Sequence, residues 1–205
     1  MPPKPKCTRE DIIKAAFDMT REKGIESVAA RELGKRLGTS ATPIFTHFKN
    51  MHEVAVEVRR LAIQEYNKFI SEALNYTPVF KQYVIQLIEF AKKEPKLFQV
   101  IYMRESNESQ RFDDIFYELG DSVDICIEVI QRDYGLTRDD AYKLFRQVWM
   151  HTFSICVFEA NNIYHFSNDE ISELLSMQFQ GILMLVKSGN YKMVSTHKKG
   201  DGETL

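Results

Sequence analysis

Apolar residues recur at three- and four-residue spacing from Thr8 to Gly189, each run opened by a capping residue and closed by a stop. The two-residue alternation of a half-buried strand is nearly absent. A chain patterned this way folds as an all-α protein, because each helix carries one apolar stripe that must be covered by another helix. Only six prolines and nine glycines fall in the 205 residues, which leaves room for long uninterrupted helices.

Thr8 opens a first helix with Ile12, Ala15, Ala16 and Met19 on one face, and Gly24 stops it. Ser27 reads as the cap of a second, short helix that buries Val28, Leu33 and Leu37. Gly38-Thr39-Ser40 makes a turn, Ser40 reads as the next cap, and a third short helix carries Ile44, Phe45 and Phe48. Asn50, with Glu53 three residues on, reads as a capping box for a fourth helix. That helix turns Val54, Val58, Leu61, Ala62, Phe69 and Ala73 inward and ends near Asn75. Beyond Pro78 come Phe80 to Ala91, a short helix from Pro95 through Tyr102, and a six-turn helix from Phe112 to Tyr134 ended by Gly135. Thr137 opens a helix to about Asn161, and Ser167-x-x-Glu170 boxes a last one that ends at Gly189. About nine helices result in all, followed by a polar tail over 190–205.

Charge is divided unevenly along the chain. Residues 1–60 hold 12 Lys and Arg against 8 Asp and Glu, or +4, leaving 15 against 21, or −6, from totals of 27 and 29. A basic head on an acidic body suits a protein that presents one end to phosphates. Three cysteines (Cys7, Cys126, Cys156) form no CxxC pair and leave one over, so a reducing cytoplasm is the simplest setting. The N-terminus lacks the apolar core of a signal peptide, and no apolar run reaches membrane-spanning length. His47 and His52 sit on different elements, and no His, Cys and carboxylate cluster has metal-ligand spacing. Neither a nucleophile elbow nor a phosphate-binding loop is present, so the reading is of a non-enzyme without metal or cofactor.

The informative stretch is 27–50, SVAARELGKRLGTSATPIFTHFKN. Two short helices joined at Gly38 pack across one another, which is helix-turn-helix geometry with the second helix entering the major groove N-terminus first. Thr39, Ser40, Thr42, Phe45, Thr46, His47 and Lys49 then cluster on a small exposed surface. Hydroxyls and Lys suit phosphate oxygens, and the threonine methyls suit thymine methyls.

From Thr8 to Val58 the chain resembles the DNA-binding domain of TetR/AcrR-type regulators. Ile44-Phe45-Thr46-His47-Phe48-Lys49-Asn50 is similar to their recognition-helix signature: an aliphatic, an aromatic, any residue, His, Phe, then Lys-Asn. The resemblance implies that Ala30, Thr39, Ser40, Thr42, Phe45, Thr46, His47 and Lys49 face operator DNA. The chain departs from the pattern at three places. Met51 stands where Lys is common, Phe45 where Tyr is usual, and Ala41-Thr42 where a Gly-bearing turn is frequent. The missing Lys removes one phosphate contact, which an N-terminal arm with Lys4 and Lys6 can supply.

The same resemblance implies a DNA-binding domain over 1–58, an effector-binding and dimerisation domain over 59–189, and a tail. It also implies a homodimer held by the last two long helices, 138–161 and 168–188, and a repressor released from a palindromic operator by a small molecule. The aromatic-rich body fits an apolar or aromatic effector, with Tyr102, Phe116, Trp149, His151 and Phe153 as candidate pocket residues. The helix over 51–74 reads as the only element that both packs on the helix-turn-helix, through Val54 and Val58, and continues into the second domain, through Phe69 and Leu74. A helical small-molecule-binding or interaction module that never meets DNA is the alternative, and it leaves the basic head and the signature unexplained.

Overall fold

A computed structural model describes residues 7–103, 114–117, 120 and 122–191. Among them are ten α-helices: α1 (Arg9–Lys23), α2 (Ala30–Arg36), α3 (Thr42–His47), α4 (Met51–Ser71), α5 (Val79–Lys93), α6 (Pro95–Tyr102), α7 (Asp114–Tyr117), α8 (Ser122–Tyr134), α9 (Arg138–Ala160) and α10 (Asn168–Lys187). No strand occurs among the described residues. Lys6 and the rest of the arm over 1–6, together with Phe112 and 192–205, lie outside the described residues.

The helix starts follow the caps in the sequence. Thr8 Oγ1 accepts from the Asp11 N–H at 3.1 Å while the Thr8 N–H donates to Asp11 at 3.0 Å, and Ser167 and Glu170 repeat that box at α10. Thr137 caps α9 through the Asp140 N–H at 3.2 Å. At α4 the box is offset: Asn50 accepts from the Glu53 N–H at 3.0 Å, but the Glu53 carboxylate takes the Lys49 N–H at 2.8 Å.

Two expected caps are placed differently. The Ser27 hydroxyl donates to the Gly24 carbonyl at 2.7 Å and closes a 3₁₀ turn over Ile25–Ser27, so α2 starts after Ala29 with no side-chain cap. Nor does Ser40 cap α3. Ala41 already has helical φ and ψ and becomes the N-cap, and Pro43, in the first turn, lacks the N–H a cap would bind. The long helix expected over 112–134 is broken in two, because Gly120 takes a φ of +86° between α7 and α8. The expected tail also begins late, since Gln147 donates to the Tyr191 hydroxyl at 2.6 Å and ties it to α9.

In the head, α1 packs on α2, α3 and α4. In the body α9 runs centrally, with α5, α8 and α10 packed on it, while α4 reaches α5, α6 and α8. Val54 and Val58 are fully buried toward the head, and Ala62, Tyr66 and Ile70 of the same helix are fully buried toward the body. A second contact between head and body runs beside α4, although α4 is the helix that itself continues from one into the other. Helix α1 packs on α6, and Arg21 donates twice to Glu94, the N-cap of α6, at 2.8 and 2.6 Å.

Candidate nucleic-acid interface and regulatory core

The turn between α2 and α3 depends on a close backbone approach. A Cβ placed on Gly34, buried in α2, would lie 2.8 Å from the Ser40 carbonyl carbon and oxygen. Gly38 at φ +67° reverses the chain, and the Thr39 N–H returns to the Gly34 carbonyl at 2.9 Å. These contacts fix how α3 leans on α2, and hence which of its faces is free.

Ile44 (0 % exposed) and Phe48 (2 %) point into the head, whereas Phe45 is 50 % exposed. Thr42, Thr46 and His47 share the open side of α3 with Phe45, Ser40 and Lys49 are exposed beside it, and Ala30 and Thr39 are half-buried at its edge. An exposed aromatic next to hydroxyls and an imidazole, on a helix short enough to enter a groove, is a surface with no packing role. His47 Nε2 lies 3.1 Å from the Cys7 carbonyl, which holds the start of α1 beside the recognition helix. Between them is an open cleft of about 900 Å³, with Thr8, Arg9 and Glu10 on one wall and Thr39, Thr42 and Thr46 on the other. Of the cations on the second helix, Arg36 is spent on Glu22 at 2.6 and 2.8 Å, while Arg31 and Lys35 are exposed. Arg9 is likewise engaged, by Glu57 at 2.5 Å, and it also covers the Phe48 ring at 4.9 Å. The paired guanidinium groups of Arg9 and Arg60 hold the Glu57 carboxyl below its usual pKa.

Four of the five candidate effector residues meet in the body. Trp149 stacks on Phe153 (5.1 Å between centroids, 10° between planes), Phe116 sets its edge on Trp149 at 5.0 Å, and Tyr102 lies 5.4 Å from Phe153. His151 is not among them. Two residues along an α-helix turn through about 200°, so it stands on the other side of α9 from Trp149. Its Nε2 is buried there without a partner, and burial lowers its pKa.

The composition of this core also includes residues that the sequence reading passed over. Tyr66 from α4 and Tyr83 from α5 are both 0 % exposed, and Tyr66 lies 6.1 Å from Tyr102 between ring centroids. The hydroxyls of Tyr66, Tyr83 and Tyr102 are buried beside one another, each within reach of a neighbouring phenol. Burial, first of all, and then their mutual proximity hold all three phenols well above the usual pKa. Cys126 and Cys156 are buried in the same body; desolvation pushes the Cys126 thiol up to about 12 and Cys156 well above its usual value, so both are inert thiols.

A separate groove of about 460 Å³ opens between α5, α8, α9 and α10, walled by Val84, Ile88, Val148, Ile171, Leu175 and Phe179. On the outer faces of α9 and α10 large apolar side chains are exposed: Met150, Phe158, Met177 (65 %), Met184 (72 %) and Leu185 (45 %). No metal-holding cluster of His, Cys and carboxylates is found among the described residues, and none of their helices is long and apolar enough to cross a membrane.

A helix-turn-helix head with an open recognition helix is thus carried on an all-helical body. Residues 12–58 match the family described as bacterial regulatory proteins, tetR family. Along almost its whole length it also shares its fold with a TetR-family transcriptional repressor, Thermus thermophilus FadR, solved in complex with lauroyl-CoA. The TM-score is 0.51 at 16 % identity, over 94 % of this chain and 100 % of that one. No curated protein sequence matches the chain.

Proposed function

We propose that the chain is a ligand-responsive repressor that binds a palindromic operator as a homodimer and leaves it when a small molecule occupies the body. Residues 1–58 are the DNA-binding domain and 59–189 the effector-binding and dimerisation domain. The observation that carries the reading is the division of α3, whose Ile44 and Phe48 are buried while Phe45, Thr46 and His47 are presented outward. Phe45, Thr42 and Thr46 meet base edges, and Ser40, His47, Lys49 and Lys6 meet phosphates, with Ala30 and Thr39 at the margin of contact.

Dimerisation is supported by the apolar outer faces of α9 and α10, since exposed patches of this kind mark interaction surfaces. Two copies of that face form a four-helix bundle and space two recognition helices about 34 Å apart or a multiple of it. An effector is supported by the aromatic interior, and by the FadR relative, whose structure holds lauroyl-CoA. Selection of bound duplexes from a random-sequence pool with the purified chain tests the reading. A short palindrome is the expected product; recovery of no sequence preference overturns it.

A further inference from the structure

The recognition helix is too short to hold its own place. Helix α3 has six residues and no side-chain cap at its start, and a helix of that length is unstable alone. Its position is therefore set by what its buried side chains rest against. Those side chains are Ile44 and Phe48, one turn apart. Phe48 is the C-cap, where the backbone leaves the helix for an extended conformation, so the seating of its ring fixes the end of α3. The cover of that ring comes from another helix. The guanidinium of Arg9, first residue of α1, lies over it at 4.9 Å from the ring centroid.

Arg9 is held there from its other side. Its Nη2 donates to Glu57 of α4 at 2.5 Å, and the second Glu57 oxygen accepts from Arg60 at 2.8 Å. The Glu57 side chain is only 20 % exposed, and the two guanidinium groups keep it ionised by lowering its pKa. Helix α1, the end of α3 and helix α4 thus meet at one cation. Arg9 also lines the cleft opposite α3, a place where a cation is ordinarily read as a phosphate contact. Moving it onto a phosphate uncovers Phe48 and leaves the Glu57 carboxylate with one cation fewer beside the charge of DNA.

We infer that Arg9 is a positioning residue for operator binding: it acts through Phe48 to fix the lean of α3 against α1 and α4, and meets no phosphate itself. The inference rests on the regulator reading and adds a residue to its machinery. A planar guanidinium covers the ring and pairs with the carboxylate from the same place, which the point charge of lysine does not do.

Arg9→Lys, Arg9→Gln and Glu57→Gln test the inference in the full chain by two measurements. Without DNA, amide hydrogen exchange is followed at Phe48, whose N–H donates to the Ile44 carbonyl at 3.0 Å. All three variants are expected to exchange there about fivefold faster than the parent, with a smaller change at Ala16 in the middle of α1. An unchanged rate at Phe48 overturns the inference, and so does equal acceleration at both residues, which marks a purely structural role. With the selected palindrome, fluorescence anisotropy is measured over a salt series at a temperature where every variant is folded. Arg9→Lys and Arg9→Gln are expected to bind equally, each about tenfold more weakly than the parent and with its salt slope. A phosphate contact gives the opposite pattern: lysine keeps the affinity, and glutamine lowers the slope by about 0.9 per chain. Either result overturns the inference. So does a steeper slope in Glu57→Gln, the sign of an Arg9 released onto a phosphate. A failed operator selection sinks the regulator reading and leaves the exchange result standing; unchanged exchange beside a selected palindrome sinks this inference alone.

Discussion

Replacing Gly34 by alanine tests whether the backbone contact between α2 and the turn sets the recognition helix. The added Cβ lies 2.8 Å from the Ser40 carbonyl carbon and oxygen and 3.1 Å from the Ala41 nitrogen. Carbon atoms rest at about 3.5–4.0 Å, so the turn must retreat by roughly 0.7 Å or more. Neighbouring atoms here are backbone, with no flexible side chain to swing aside. Overpacking of this kind costs about 1–3 kcal/mol, offset by about 1 kcal/mol from the better helix propensity of alanine. The net loss in urea unfolding is therefore small, about 0–2 kcal/mol. DNA binding is hit harder, because Ser40 and Ala41 lead straight into α3 and its contacts move together. Loss of even one charge-assisted bond to phosphate, about 1.5–3 kcal/mol, lowers affinity at least about tenfold. Gly34→Ala is accordingly expected to melt near the parent midpoint and to bind the selected palindrome at least about tenfold more weakly in fluorescence anisotropy. A variant that is more stable and keeps full affinity refutes the argument that this contact positions α3.

Charges on the outer face of α9 and α10 should separate the subunits. Met177→Lys with Leu185→Glu is expected to sediment as a monomer at micromolar concentration with its helical circular dichroism intact, and a monomeric parent protein contradicts the dimer. On the proposed function, α4 and the Arg21–Glu94 clamp are the routes from body to head, with an expected coupling of about 1–3 kcal/mol. Leu61→Gly should therefore weaken, and Leu61→Gly with Arg21→Gln abolish, the change in DNA affinity caused by an effector found in a ligand screen; full abolition by Leu61→Gly alone leaves the clamp without a role. His151 gives an acid limb to stability. Burial lowers its folded pKa, so the unfolded chain takes up the proton first. Its contribution is whole above the usual histidine value of about 6.5 and is lost as pH falls from there through the folded pKa. Thermal melts of His151→Gln should show a shallower decline on that limb, and an unchanged slope refutes the assignment.

Local chemistry made much of the fold legible. Thr8, Asn50, Thr137 and Ser167 cap the helices they were read to cap, because the signal and the bond lie within three residues. Ser27 and Ser40 have equally good cap chemistry but serve elsewhere or not at all, since a 3₁₀ turn and Pro43 shift the helix starts. Gly120 sits inside an apolar run at helical spacing, and only its positive φ reveals the break. The Arg21–Glu94 clamp joins residues 73 apart and left no periodic trace. Tyr66 and Tyr83 did leave one: each sits on the inward stripe of its helix, where a polar-tipped ring among aliphatic residues is a question about its hydroxyl. His151 was grouped with Trp149 by proximity in sequence, and the helical turn of about 200° per two residues separates them.

The central claim is that two copies of this chain read a two-fold operator with α3. It is tested most directly by measuring affinity for the selected palindrome and for its isolated half-site over a series of salt concentrations. The account predicts two chains per palindrome, much weaker binding to the half-site, and an affinity that falls steeply with salt as neutralised phosphates regain counterions. Equal affinity for the half-site, or binding indifferent to salt, contradicts it.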